Sequence, residues 1–146
     1  MKKVFIDSDL FVRDLRYPRD PNSEINARFL KEVYEKKIRG VTSIFNVLEA
    51  CGVVSFNLSA ENLEKLYAGF TSRYNIRVFV PANPSGILEY DPYIIFQQIQ
   101  KKQGLGDAQV SYVVERFASQ LSCFVSWNAP HFADKLSIPV KTPEEF

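Results

Sequence analysis

Residues Lys2–Phe11 read KKVFIDSDLF. Val4, Phe5 and Ile6 form an apolar triplet of β-branched and aromatic side chains, which predicts a short buried strand over Lys3–Asp7. The run ends on Asp7, and Asp9 follows two residues later. In open parallel sheets, ligands bind outside the carboxyl ends of the strands. An acid that closes such a strand therefore stands where a site would form. The plainer role for Asp7 is to cap the helical turn that follows, and that role leaves Asp9 unexplained.

Working outward, strands alternate with helices. Arg16–Asn22 (RYPRDPN) contains two prolines and reads as a loop. Helical periodicity runs from Ser23 to Gly40 through Phe29, Leu30, Val33 and Tyr34. Val41-Thr42 suits a second strand, and Ser43 caps a helix reaching about Ser55. A further amphipathic helix opens at Ser59, and Ile76–Val80 is a strand stopped by Pro81 and Pro84. A helix lies within Ser85–Lys102, interrupted near Asp91-Pro92 because the residue before proline avoids helical angles. After Gly104-Leu105-Gly106 comes a helix from Asp107 to about Ser119. Ser122–Trp127 is a strand, Pro130–Lys135 a helical turn, and Ile138–Val140 a last short strand. This alternation predicts an α/β fold with a parallel sheet covered on both faces. The 146 residues fit one domain, 1–146.

The composition, 46% hydrophobic and 24% charged, is that of an ordinary globular chain. A net charge of +1 does not argue for a nucleic-acid partner and does not exclude a local basic rim. Cys51 and Cys123 lack CxxC spacing and read as reduced thiols. Met1-Lys2-Lys3 resembles the start of a signal peptide, but Asp7 and Asp9 break the apolar run, and no stretch approaches the roughly 20 apolar residues of a membrane span. A cytoplasmic location without membrane association follows as the expectation.

Glu49 is the only charged side chain between Arg39 and Glu61. At 100° per residue, Ile44, Val47, Leu48 and Cys51 form one apolar stripe of its helix. Phe45, Val53 and Phe56 form a second, and Glu49 lies within it. A helix apolar on nearly all sides is expected to be buried, and a buried Glu needs a partner. That partner is a cation or proton of a structural kind, or else a metal or active site. Asp107 is in phase with Val110, Val114 and Phe117 and faces inward, although it also suits a helix N-cap. Three core-directed acids from distant segments suit a hard cation bound through oxygens, Mg²⁺ or Mn²⁺, whereas zinc would want His or Cys. The single histidine, His131, fits a turn better than a metal site, and no phosphate-cradling Gly-rich loop is present.

Taken in order, VFIDSDLF, TSIFNVLEA, GLGDAQVSYVVERF and SCFVSWNAPHF, closing on PVKTPEEF, resemble a PIN domain, in particular the small VapC-type toxin ribonucleases. The resemblance spans essentially the whole chain. It implies a three-layer α/β/α sandwich with a parallel sheet of about five short strands. It also implies a catalytic set matching Asp7, Glu49, Asp107 and Asn128, with Asp7, Glu49 and Asp107 holding Mg²⁺ or Mn²⁺. The implied reaction is endonucleolytic RNA hydrolysis leaving a 5′-phosphate and a 3′-hydroxyl, and the implied partners are RNA, a small antitoxin and a second copy of the chain. Two positions depart from the pattern: Asn128 stands where the family commonly has Asp, and Asp9 where it typically has Asn. Charge lost at 128 is thereby partly restored at 9. Ser8 and Ser126 are placed to orient ligands or the attacking water. Arg13, Arg16 and Arg19 beside the first strand, with Lys101 and Lys102 before Asp107, are the expected basic rim for RNA.

Two other readings stand beside this one. Asp7-Ser8-Asp9 also satisfies the DxD motif of haloacid-dehalogenase-like phosphatases, with Asp7 as nucleophile and Asp9 as general acid. There the last acid would fall at position 111, which is Ser111, and Glu49 has no role. The other alternative is a catalytically weakened PIN-like module that binds RNA or protein, its acid set degraded at Asn128.

Overall fold

The computed structural model describes residues 2–146. Five strands form one sheet: β1 (Lys3–Ile6), β2 (Gly40–Ser43), β3 (Arg77–Phe79), β4 (Leu121–Val125) and β5 (Val140–Lys141). Their order is β3-β2-β1-β4-β5, and every pairing is parallel. Parallel neighbours need crossovers, and α-helices supply all of them but the β4–β5 link, which holds one 3-10 turn, Ala129–His131. The α-helices are α1 (Ser8–Arg16), α2 (Ser23–Tyr34), α3 (Ile44–Val54), α4 (Ala60–Ala68), α5 (Phe70–Tyr74), α6 (Pro92–Gln100) and α7 (Leu105–Arg116).

Side-chain alternation along the strands builds two cores. Val4, Ile6, Cys123 and Val125 point to one face, where Leu10 and Phe11 of α1, Phe29 and Val33 of α2, Val47 and Cys51 of α3, and Phe70 and Tyr74 of α5 cover them. Phe5, Val41, Phe79 and Phe124 point to the other, under Val110, Val113 and Val114 of α7 and under Phe132. This is the three-layer α/β/α sandwich with five short parallel strands that the sequence predicts. Gly40 sits where β2 crosses tightly packed side chains; a Cβ there would come within 2.6 Å of Val33 Cγ1 and 2.7 Å of Ile6 Cδ1.

Several boundaries differ from expectation. Ser8–Arg16 is a nine-residue helix rather than a turn, so Arg16 belongs to α1 and not to the following loop. The second helix ends at Tyr34, well before Gly40. Lys36 adopts the left-handed conformation (φ 62°), and the Lys36 and Lys37 amides donate to the Val33 and Glu32 carbonyls at 3.0 and 2.9 Å. That double bond is a Schellman stop with lysine where glycine is usual, which hides it in the sequence. The last helix starts at Leu105, so Gly104 is its N-cap and Asp107 lies inside its first turn.

Candidate metal and catalytic site

Asp7 ends β1 between two neighbours that fix it. Its amide donates to the Val125 carbonyl of β4 at 3.0 Å, and Thr42 Oγ1 of β2 donates to the adjoining Ile6 carbonyl at 2.7 Å. The carboxylate does cap α1, accepting from the Ser8 amide at 2.8 Å, but the cap is only part of its environment. Oδ1 also accepts from Asn46 Nδ2 at 3.0 Å, and Oδ2 from the Ser126 hydroxyl at 2.8 Å. The residue is buried. No salt bridge reaches it among the described residues. Burial, with repulsion from Asp9 second, pushes the Asp7 carboxyl up to about 8, against the bonds from Ser126 and the Ser8 amide.

Asp9 shares that environment. Its Oδ2 accepts from the Ser126 hydroxyl at 3.0 Å and from the Asn128 amide at 3.1 Å. Ser126 owns one hydroxyl hydrogen, yet it stands within hydrogen-bond distance of both carboxylates while also accepting from the Asn128 amide at 2.9 Å. Asp9 and Asp7 therefore cannot both be ionised and satisfied through Ser126. Burial raises the Asp9 carboxyl as well, offset by Ser126, the Asn128 and Trp127 amides and the Arg13 guanidinium. Asp9 Oδ1 is buried with no partner.

Glu49 corrects the expectation of a fully buried helix. Glu49 is exposed, as are Phe56 (89%) of its own stripe and Leu48 of the neighbouring one, while Phe45 and Val53 are partly buried. The Val47–Ala50–Cys51–Val54 side of α3 is buried, and Phe45 packs against the second core. Glu49 looks into a cleft of about 700 Å³ lined by Phe45, Leu48, Gly104, Gly106, Asp107 and Gln109. Partial burial raises its carboxyl, Asp107 raises it further, and the Ser8 hydroxyl lowers it. A Cβ built on Gly106 would lie 4.0 Å from Glu49 Oε2, which places the first turn of α7 beside this carboxylate. Asp107, half-buried there, makes no capping bond, so the N-cap role does not account for it.

The four acids thus form a string. Asp9 acts on Asp7, Glu49 on Asp7 and Asp107 on Glu49, each by repulsion. Among the described residues, no three His, Cys, Asp or Glu side chains converge closely enough to hold one ion as placed. The donor chemistry nevertheless fits a hard divalent cation. Every ligand available is an oxygen, no ion pair neutralises Asp7, Glu49 or Asp107 among the described residues, and Asp9 Oδ1 is an orphaned acceptor.

The remaining expected residues are distributed around this string. Asn128 contributes its backbone amide, while its exposed side chain makes no hydrogen bond. Arg13 is committed elsewhere: it pairs with Asp20, and its guanidinium stacks 4.9 Å from the Trp127 ring. Arg16 lines a separate groove with Leu15, Val54, Leu58, Lys65, Leu66 and Arg73. Arg19 is exposed, and Lys101 and Lys102 are exposed at the end of α6, just before α7. Asn46 was not anticipated. It is fully buried, its Oδ1 accepts from the Ser43 hydroxyl at 2.5 Å, and its amide aims Asp7. The signal was available, because Asn46 and Glu49 are the two strongly polar residues of the otherwise apolar α3.

No protein-family model matches the sequence, and no curated protein matches it significantly. Solved structures do match. FitAB bound to an IR36 DNA fragment superposes at a TM-score of 0.62 with 16% identity, covering 98% of this chain and 96% of that one. VapBC2 from Rickettsia felis, bound to a DNA fragment from their promoter, superposes at 0.63 with 16% identity, covering 95% and 97%. The fold is PIN-like along almost its whole length.

Proposed function

We propose that this chain is a divalent-metal-dependent endoribonuclease, the toxin of a VapC-type toxin–antitoxin pair. The observation that carries the reading is the string Asp9–Asp7–Glu49–Asp107. It is assembled from three segments at the carboxyl end of the sheet, on a fold shared with FitAB and VapBC2. Asp7, Glu49 and Asp107 would hold Mg²⁺ or Mn²⁺, which supplies a water of lowered pKa and stabilises charge building on the phosphorane. Ser126 and the Asn128 amide fix Asp7 and Asp9, and Asn46 fixes the other oxygen of Asp7. The phosphatase reading leaves Glu49 idle and lacks its last acid at Ser111, which argues against it.

Two surfaces support the expected protein partners. The groove holding Arg16, Lys65 and Arg73 around Leu15, Val54, Leu58 and Leu66 has about 430 Å³ of space. Its apolar floor and basic rim suit an acidic amphipathic segment of an antitoxin. Helix α6 has no charged residue and exposes Tyr93 (64%) and Phe96 with Ile94 and Ile99, the composition of a homodimer interface. Both cysteines are free and buried, in keeping with a reducing cytoplasm. No helix among the described residues is long and apolar enough to cross a membrane.

The test is incubation of the purified chain with a pool of structured RNAs in Mg²⁺ or Mn²⁺ and in EDTA. Metal-dependent cutting with 5′-phosphate ends is expected. Absence of cutting with RNA or protein binding retained would overturn the reading in favour of a weakened binding module. Release of phosphate from small phosphomonoesters would instead favour the phosphatase.

A further inference from the structure

The amino ends of the strands carry the opposite sign from the acid string. Lys3 opens β1, Arg77 opens β3, and Lys36 and Arg39 lie on the link from α2 to β2. With Gly40 and Val41 they line an open pocket of about 410 Å³. None of these four cations has a carboxylate partner among the described residues; the ion pairs use Arg13, Lys31, Lys37, Lys65 and Arg73 instead. On a chain whose net charge is +1, four uncompensated cations in one hollow are a marked local excess. Such an excess repels itself and favours an anionic ligand.

The pocket is also held in place. Lys3 Nζ donates to Gln120 Oε1 at 2.7 Å, and Lys36 Nζ to the Asn75 carbonyl at 2.5 Å. Lys36 keeps its left-handed backbone at φ 62°, where a glycine would save on the order of 1 kcal/mol.

Lys3 and Arg77 sit on β1 and β3 with β2 between them, so roughly 10 Å separates their strands. That span exceeds one phosphate group and suits successive charges on a chain. The pocket is open and Arg39 and Arg77 are exposed, unlike a closed cradle for a small anion. We propose that this pocket anchors the phosphate backbone of the RNA away from the bond being cut. The proposal rests on the nuclease reading and deepens it. Long RNAs, which pass the edge strand β3 and reach both ends of the sheet, are the substrate class, and short oligonucleotides engage the acid string alone.

The experiment measures anisotropy of a long labelled RNA with the full chain in EDTA, over a range of salt. It compares wild type, Arg39→Glu/Arg77→Glu and the charge-matched control Arg28→Glu/Lys135→Glu, with thermal midpoints confirming that each folds. The pocket variant should bind at least tenfold more weakly. Its log–log salt slope should fall by about 1.4, the loss of two single-strand phosphate contacts. Its cleavage KM should rise for long RNA at constant kcat, with a short reporter unaffected. Wild-type affinity in the pocket variant, or an equal loss in the control, would overturn the proposal. So would binding to phosphatidylserine vesicles in place of RNA. If no protein cuts RNA yet binding still depends on Arg39 and Arg77, the nuclease reading fails and the anchor stands. If cutting and binding ignore both residues, the nuclease stands and the anchor fails.

Discussion

Asp7→Asn will abolish metal-dependent cleavage, by about a thousandfold or more if Asp7 is the central ligand, and will make the metal-free chain more stable. The second effect follows from one proton. Ser126 has a single hydrogen for Asp7 Oδ2 at 2.8 Å and Asp9 Oδ2 at 3.0 Å. An amide at position 7 keeps its oxygen toward the Ser8 amide and Asn46 Nδ2, and turns its NH₂ to Ser126 Oγ. The serine hydrogen is then free for Asp9. The amide also needs no proton taken up on folding, as the buried Asp7 carboxyl does. The pH dependence has a definite sign. Asp7 is raised from 3.8 to about 8, so across that window the folded chain holds a proton that the unfolded chain has released. Stability of the metal-free wild type therefore falls as pH rises through the window, by up to ~1.4 kcal/mol per pH unit. The fall should be absent in Asp7→Asn. At neutral pH the variant should be more stable than wild type, with a higher thermal midpoint. Differential scanning calorimetry at several pH values reads both, and a variant less stable than wild type at pH 7 would refute the account of this carboxylate.

Phe124→Ala will cost about 3–5 kcal/mol, the range for a large aromatic deleted from a packed core. Phe124 is fully buried in the middle of β4, its ring 5.4 Å from that of Phe5 and 4.6 Å from that of Phe132. Those neighbours belong to β1 and to the segment after β4, so collapse into the void is opposed from two sides. The same strand leads directly to Ser126, so the loss should loosen the bonds to Asp7 and Asp9 as well as the fold. Urea unfolding measures the change, and a cost under ~1 kcal/mol would show that this face of the sheet repacks freely.

Much of this architecture is written locally. Val4-Phe5-Ile6, Ile76–Val80 and Cys123-Phe124-Val125 are apolar runs too short for helices, and Ser43 and Ser59 are caps that the structure uses, accepting from the Asn46 and Asn62 amides. What escaped the sequence depended on contacts between distant segments or on unusual residues in usual places. Lys36 ends α2 in a conformation normally given to glycine, so the sequence carries no glycine stop there. Helix α1 follows β1 after a single residue, Asp7, which left no visible turn. The phase of Glu49 was legible, but the depth of its stripe was not, because apolar residues on an outer face look the same as core until the packing is known. Asn46 bonds an acid 39 residues away, and no local pattern announces that. Arg13 looked free for RNA until Asp20 and Trp127 claimed it.

In the proposed function, Asp7, Glu49 and Asp107 gather around a divalent cation. Titration of Mn²⁺ into the metal-free chain by calorimetry, in buffers of different ionisation enthalpy, tests it most directly. Binding at neutral pH with release of about one proton is expected, since the raised Asp7 carboxyl must ionise to act as a ligand. Asp7→Asn should abolish that binding, and Glu49→Gln and Asp107→Asn should each weaken it at least tenfold. Mn²⁺ binding of equal strength in wild type and Asp7→Asn, or no binding to wild type at all, would contradict the account.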